Sequence, residues 1–182
     1  ELYCDVKDIQ KDKSEFFPGC TYGQLKPDGT TTIIEIFNER FNNAKGVFYD
    51  LGCGPGHMVM HVALDTAIGK SIGVELHKYR FKLANEIKEN LIKKYPKKTD
   101  DFNKVSFINT DFFNLDIEDA TIVYFDNTVL TKKLSDKVYA SCPKACLIIT
   151  SRQLSKAGKY PPKTKAINRN YSSNGMWFCI KE

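Results

Sequence analysis

Short apolar runs alternate with longer amphipathic segments along most of this chain. Five of the runs are rich in β-branched or aromatic side chains and predict buried strands, at residues 46–51, 71–76, 104–110, 121–127 and 145–150. The segments between them space their apolar positions at helical intervals and predict helices at 58–64, 79–95 and 131–141. A further helix is predicted near 30–43, where Thr32 and Glu35 have the spacing of a capping box.

This alternation predicts an α/β fold with a doubly wound, mostly parallel sheet. The end of the chain departs from it, because strand-like segments, the last at 175–180, follow the fifth strand with little helix between them. We therefore expect an antiparallel hairpin at the sheet edge. Residues 1–20 are polar and unpatterned, which predicts a loosely ordered lead-in to a single domain over 21–182.

Composition narrows the class of protein. The 182 residues are 42% hydrophobic and 27% charged, as in ordinary globular domains, and no apolar run approaches the roughly 18 residues of a membrane helix. The chain starts at Glu1, which favours a processed product or an excised domain. Six cysteines without a CxxC pair favour reduced thiols in a nuclear or cytoplasmic protein.

The net charge of +5 is unevenly distributed. Residues 152–182 hold seven Lys or Arg against one acid, and a second basic stretch covers 78–104. Contact of 78–104 and 152–169 with a polyanion, such as a nucleic-acid backbone, explains both stretches. A solvated surface that keeps the protein soluble explains them equally well.

The central motif joins the first strand to the next helix and reads Asp50-Leu-Gly52-Cys53-Gly54-Pro-Gly56-His57. Its glycines let the backbone bend closely around a ligand, and in open α/β sheets ligands bind at the carboxyl ends of strands. A dinucleotide fingerprint needs a third glycine where His57 stands. Glycines at every second position, preceded by an acid, instead resemble motif I of the class I S-adenosylmethionine methyltransferases.

Two more acids stand at the ends of the next two strands. Glu75 lies 25 residues after Asp50, where its carboxylate can accept both ribose hydroxyls. Asp111 can accept from the adenine amino group, and the ring of Phe112 can pack on the purine face. These elements predict S-adenosyl-L-methionine as the cofactor, with S-adenosyl-L-homocysteine as its product, bound by the glycine motif from Asp50 to His57 together with Glu75, Asp111 and Phe112.

The run from Tyr22-Gly-Gln-Leu through DLGCGPGH, GVEL, NTDFF and YFDN resembles the catalytic core of the disruptor-of-telomeric-silencing family, which are non-SET histone lysine methyltransferases. The resemblance covers roughly residues 22–180. It implies the class I methyltransferase fold with a seven-stranded type of sheet. It also implies a protein lysine N-methyltransferase that acts on histone in nucleosomes. The localisation that it implies is the nucleus, with the cytoplasm as the alternative.

The same resemblance implies roles for residues outside the glycine motif. The family has a Tyr-Gly-Glu loop over the methionine end of the cofactor, which makes Tyr22 a cofactor contact and a wall of the lysine passage. Asp126-Asn127 stand where the family has an Asn-Asn-aromatic segment along that passage, and Trp177 resembles an aromatic beside it. Asn127, Tyr22 and Trp177 are therefore the catalytic residues implied.

Methyl transfer needs a lysine amine that is neutral and in line with the methyl group. An apolar, aromatic-walled passage lowers the pKa of that lysine by desolvation, and Asn127 can position the amine through its side-chain oxygen without adding charge. The chain departs from the family at Gln24, Asp126 and Thr128. Two alternatives stay open: a methyltransferase that acts on RNA or a small molecule, and a domain that binds the cofactor or chromatin without transferring methyl.

The three histidines carry weaker expectations. His57 and His61 lie four apart on one predicted helix, as two metal ligands can, but no third ligand is evident and no metal is predicted. His57 is expected to face the methionine portion of the cofactor. His77 follows the predicted ribose acid and is expected at the rim of the cofactor site.

Overall fold

The structure is a computed structural model that describes residues 25, 27–40, 46–155, 165–166 and 175–181. The described strands are β1 (Val47–Leu51), β2 (Lys70–Glu75), β3 (Val105–Asn109), β4 (Ile122–Phe125), β5 (Leu147–Thr150), β6 (Lys165–Ala166) and β7 (Gly175–Ile180). The described α-helices are α1 (Pro27–Arg40), α2 (His57–Asp65), α3 (Lys78–Lys94), α4 (Thr99–Asn103) and α5 (Lys132–Ser141). The predicted lead-in at 1–20 and Tyr22 lie outside the described residues.

The strands form one sheet in the order β3-β2-β1-β4-β5-β7-β6. All pairs among β1 to β5 are parallel, β7 is antiparallel to β5, and β6 is antiparallel to β7. The predicted doubly wound, mostly parallel sheet with an antiparallel edge is therefore confirmed. The chain runs outward from β1 to β3 and then returns to place β4 on the other side of β1, so the strand order reverses between β1 and β4. Such a reversal opens a crevice at the carboxyl ends of the strands.

The strand register brings distant residues to that edge. Asp50 lies opposite both Gly73 of β2 and Tyr124 of β4. Glu75, the last residue of β2, lies opposite Asn109, the last of β3. On the other side, Thr150 at the end of β5 pairs with Trp177 of β7. One end of the sheet therefore gathers the carboxyl ends of β1, β2, β3 and β5 together with the middle of β7.

Two apolar layers hold the sheet between helices. Ile33 and Phe37 of α1 and the inner face of α2 pack on one side, and Val138 of α5 packs on the other with β4 and β5. The capping-box prediction is wrong, because α1 already begins at Pro27 and Thr32 lies inside the helix. A proline fits the first helical position, where its missing N–H has no partner to lose.

Glycine at one strand position was not singled out by the sequence pattern. A Cβ built on Gly73 of β2 would lie 2.7 Å from both Cys53 Sγ and the ring of Phe107. Only a residue without a side chain lets the glycine loop and β3 close over β2 at this point.

Within the described ranges, no helix is long and apolar enough to cross a membrane.

Candidate active site

The glycine loop between β1 and α2 bends where the strand order reverses. Gly52, Gly54 and Gly56 have φ of 90°, 56° and 82°, in the left-handed region that residues with side chains rarely adopt. A Cβ on Gly56 would meet the Phe107 ring at 2.4 Å, whereas a Cβ on Gly52 would have nothing within 4 Å. The loop is therefore packed against β3 on its inner side and open at Gly52, which is where a ligand can approach its backbone.

Backbone and side-chain bonds tie this loop to the end of β2. The N–H groups of Gly52 and Cys53 donate to the Val74 carbonyl at 2.8 and 3.0 Å. The Gly54 N–H donates to Glu75 Oε2 at 2.8 Å. The Cys53 thiol is buried, and burial raises its pKa well above its usual range. Cys53 thus lines the loop through its backbone, with its side chain turned toward Gly73.

Glu75 is buried at the end of β2, with 6% of its surface exposed. Each carboxylate oxygen accepts one backbone N–H, Oε2 from Gly54 and Oε1 from His77, both at 2.8 Å. A carboxylate offers about four lone-pair sites, so it can still accept the two hydroxyls of a diol. The side-chain amide of Asn109 donates to the Glu75 and Leu76 carbonyls at 2.8 and 3.0 Å and holds this segment in place.

Asp50 is a buried carboxyl group beside two others. Burial first, and then the charges of Glu75 and Asp126, raise the pKa of Asp50 well above its usual range. Three acids therefore converge from the ends of β1, β2 and β4 on the crevice. A cation bound among them would favour the ionised form of Asp50.

The predicted adenine residues lie just beyond β3. Asp111 Oδ1 accepts the Phe113 N–H at 2.9 Å and caps a short 3-10 turn over Phe112–Asn114. The half-buried ring of Phe112 lies against Phe113, with the ring centres 4.6 Å apart. The turn follows β3, the strand that pairs with β2, and the contact of Asp111 and Phe112 with a purine stays a prediction.

Asn127 joins the ends of β4 and β5. It is 2% exposed, and its side-chain oxygen accepts the Arg152 N–H at 2.7 Å and lies 2.9 Å from Ser151 Oγ. Its amide nitrogen donates to the Arg152 carbonyl at 3.1 Å. The predicted contact between this oxygen and an amine stays a prediction. In the structure, the Asn127 side chain instead fixes the segment after β5 through its two bonds to the Arg152 backbone.

Asp126 belongs to the same network. Its Oδ1 accepts the Thr128 N–H at 2.9 Å and lies 2.6 Å from Ser151 Oγ. The Thr128 hydroxyl lies 3.0 Å from the same Ser151 oxygen. Ser151 has one hydroxyl proton, so it serves Asp126 or Asn127 at any moment and couples the two.

His57 and Trp177 complete the described set. His57 begins α2 beside the loop, 5% exposed, and burial together with nearby His61 lowers its pKa to about 4, which keeps the ring neutral at pH 7. Trp177 is half-buried on β7, opposite Thr150 at the carboxyl end of β5. Among the described residues no cluster of three His, Cys, Asp or Glu side chains is arranged to hold a metal.

A cavity of about 530 Å³ adjoins Asn127 on the β4–β5 side of the crevice. Leu130, Ser135 and Leu154 contribute to its wall, and Lys132 and Arg152 also line it. The loop and Glu75 therefore lie on one side of the reversal point, and the cavity and Asn127 lie on the other.

Asn109, Ser151 and Gly73 were missed by sequence reasoning. Asn109 and Ser151 are common polar residues at strand ends, and their partners are 33 to 34 and 24 to 25 positions away. The one signal in the sequence was their place directly at or after a predicted strand.

Comparison with known proteins identifies a family. A family model described as "Histone methylation protein DOT1" matches residues 3–173. A Caenorhabditis elegans protein named "Histone-lysine N-methyltransferase, H3 lysine-79 specific" is 25% identical over 147 residues, which are 76% of this chain and 15% of that protein. A protein-lysine N-methyltransferase of Saccharolobus islandicus (strain REY15A) is 34% identical over 79 residues, which are 42% of this chain and 43% of that protein. The chain thus matches less than half the length of either relative.

Solved structures share the fold. An RNA methyltransferase from Salinibacter ruber, solved in complex with S-adenosyl-L-homocysteine, superposes with a TM-score of 0.55 at 20% identity, over 83% of this chain and 92% of that one. At this identity the likeness concerns the fold, and it confirms the class I methyltransferase architecture.

Asp50 generates a prediction about stability. A carboxyl group whose pKa is raised in the folded state disfavours folding once pH exceeds its unfolded pKa, near 3.8. Asp50→Asn should therefore raise the free energy of unfolding of the ligand-free protein at pH 7, because it removes a carboxylate that burial and two neighbouring charges disfavour. The gain should shrink toward zero as pH falls to about 4.

Urea denaturation between pH 4 and 8 measures this difference, with exposed Asp100→Asn as the control. If Asp50→Asn proved less stable than the unsubstituted protein at pH 7, ionised Asp50 would be stabilised in the fold and the argument from burial would be wrong.

Proposed function

This chain belongs to the family of the histone methylation protein DOT1, and on that premise we propose that it is an S-adenosyl-L-methionine-dependent lysine N-methyltransferase that acts on histone in nucleosomes. S-adenosyl-L-methionine is the cofactor of this family and supplies an electrophilic methyl group. The observation that carries the proposal is the buried Glu75 carboxylate under the glycine loop, beside the point between β1 and β4 where the strand order reverses.

The residues present fit that cofactor. Gly52 leaves one side of the loop backbone open, and Glu75 keeps accepting capacity for a ribose diol. Asp111 and Phe112 stand one strand further on, where they would hold adenine. The convergence of Asp50, Glu75 and Asp126 favours a ligand that carries positive charge, as the amino group and sulfonium of this cofactor do.

The chain's own residues would bind and orient the acceptor on the other side. The lysine amine must arrive neutral although its free pKa is about 10.4, so its passage must exclude water. Trp177, half-buried beside the end of β5, would form one wall. The family resemblance assigns another wall to Tyr22, which lies outside the described residues. Asn127 and the segment it clamps border the cavity through which such a side chain would enter.

Support for a histone acceptor comes from sequence similarity to a named relative and from exposed positive charge. The Caenorhabditis elegans relative is named for histone H3, and its alignment covers 76% of this chain at 25% identity. In the basic stretch 78–104, which follows α3 to the start of β3, the side chains of Lys93, Lys94, Lys97 and Lys98 are exposed. We propose that this surface contacts nucleosomal DNA, and that the basic stretch 152–169, most of which lies outside the described residues, contacts it as well. Such contacts give affinity without sequence choice and weaken with salt. A nuclear site of action follows from this substrate.

The acceptor assay tests the proposal directly. We expect labelled S-adenosyl-L-methionine to transfer its methyl group to a histone lysine in nucleosomes, less well to free histones, and not to RNA. Scintillation counting of the separated acceptors and mass spectrometry of histone peptides measure the transfer. Label on RNA alone would instead support an RNA methyltransferase, and cofactor binding without any label would support an inactive binding domain.

Glu75 should carry much of the cofactor affinity. Glu75→Ala removes a charged acceptor of the ribose and should weaken S-adenosyl-L-methionine binding by about 1.5–3 kcal/mol, roughly 10- to 150-fold in Kd. Isothermal titration calorimetry measures Kd. Glu86→Ala on α3 is the control, since that glutamate is exposed and pairs only weakly with Lys82 at 3.7 Å. An unchanged Kd in a folded Glu75→Ala protein would remove Glu75 from the site.

Asn127 should act on transfer and not on cofactor affinity. Asn127→Ala removes the clamp on the segment after β5, so methyl transfer should be lost while the Kd for S-adenosyl-L-methionine changes less than about threefold, within what a distant substitution alters. Single-turnover rates and calorimetry are measured on the same preparations, with exposed Asn103→Ala as the control. Full transfer activity in Asn127→Ala would exclude the residue from the acceptor side.

A further inference from the structure

The segment after β2 alternates between buried and exposed side chains. Glu75 is 6% exposed, Leu76 57% and His77 7%. His77 follows β2 after a bend at Leu76, with φ −77° and ψ 114°, and its N–H donates to Glu75 Oε1 at 2.8 Å. A buried imidazole therefore lies two residues after the carboxylate that we assign to the ribose, and its backbone is bonded to that carboxylate.

The imidazole of His77 contains a buried nitrogen, Nδ1, that makes no hydrogen bond within the fold. The ring also donates no capping bond, although His77 is the N-cap residue of α3. Buried polar atoms of side chains are almost always paired, because leaving one unpaired costs the lost hydration. An unpaired buried nitrogen next to a proposed ligand site is instead expected when the ligand supplies the partner.

The backbone around this ring is firmly held. The His77 N–H donates to Glu75 Oε1 at 2.8 Å, and its carbonyl accepts the Phe81 N–H at 3.0 Å. Asn109 fixes the two preceding carbonyls. The backbone that carries the imidazole is thus fixed next to Glu75 before any ligand arrives, as a binding contact requires. A metal is a poor candidate for the partner, since the described residues offer no set of three ligands.

We propose that His77 is a further contact of the cofactor, in which Nδ1 forms a hydrogen bond with a ribose hydroxyl that Glu75 also engages. A hydroxyl both donates and accepts, so it can pair with this nitrogen in either tautomer of the neutral ring. Glu75 and His77 together then select a ribonucleoside over a deoxyribonucleoside. This inference rests on the proposed function, because it takes the adenosyl group of that cofactor as the ligand.

The test measures binding and does not depend on methyl transfer. Calorimetry gives the Kd of S-adenosyl-L-homocysteine and of its 2′-deoxy and 3′-deoxy forms for the unsubstituted protein, His77→Phe and His77→Gln. His77→Phe keeps the ring and removes its nitrogens, and His77→Gln keeps a group that can bond a hydroxyl. His61→Gln on α2 is the matched control, because that ring pairs with Asp65 on the helix surface.

We expect His77→Phe to weaken S-adenosyl-L-homocysteine about tenfold, the loss of roughly one hydrogen bond. The loss should disappear with the one deoxy form that lacks the contacted hydroxyl, and His77→Gln should recover part of the affinity. A merely structural role would weaken all three ligands equally.

Equal weakening of all three ligands, or unchanged affinity in both variants, would overturn the assignment of His77 and leave the proposed function intact. Failure of the unsubstituted protein to bind S-adenosyl-L-homocysteine at all would overturn both. Urea denaturation confirms that each variant is folded. If His77→Phe does not fold, the comparison of the deoxy forms on His77→Gln decides alone. A loss of affinity on removing one hydroxyl that is smaller in His77→Gln than in the unsubstituted protein supports the contact, and an equal loss of affinity overturns it.

Discussion

The buried carboxylate of Glu75 is the interaction on which the site depends. Its two oxygens accept the N–H groups of Gly54 and His77, so one side chain joins the glycine loop after β1 to the turn after β2. A charge in a buried position is tolerated only when hydrogen bonds replace its hydration. These two bonds therefore shape the crevice around the acid and orient the acid toward it, and the same constraint sets His77 beside it.

Close packing of glycines under this carboxylate allows the bonds to form. Gly73 lets Cys53 and Phe107 approach β2, and Gly56 fits against the Phe107 ring with no room for a Cβ. The side of the crevice that we propose for the cofactor is thus closely packed. The side that we propose for the acceptor is organised by polar side chains instead, since Asn127 and Ser151 join the ends of β4 and β5. The division suits a protein that holds a constant cofactor on one side and a variable acceptor on the other.

Much of the fold was predictable because its elements are short and strongly patterned. The last strand was predicted at 175–180 and is β7 over the same residues, and the helix predicted at 79–95 is α3 at Lys78–Lys94. The start of α1 was mispredicted, because the local signal of Thr32 and Glu35 competes with a proline that suits the first turn. The strand-end acids were predictable for the same topological reason that places all carboxyl ends of parallel strands at one edge.

The sequence by itself determined the succession of strands and helices along the chain and the glycine loop. It also determined the spacing that brings Asp50, Glu75 and Asp111 to the carboxyl ends of neighbouring strands. Those are properties of local pattern and of parallel topology. Only the tertiary structure decided that the pKa of Asp50 is raised, that the Asn127 amide clamps Arg152, and that His77 keeps a buried, unpaired nitrogen. Each of these depends on burial and on partners that are distant in the chain or absent from the fold, and neither burial nor such partners can be obtained from neighbouring residues.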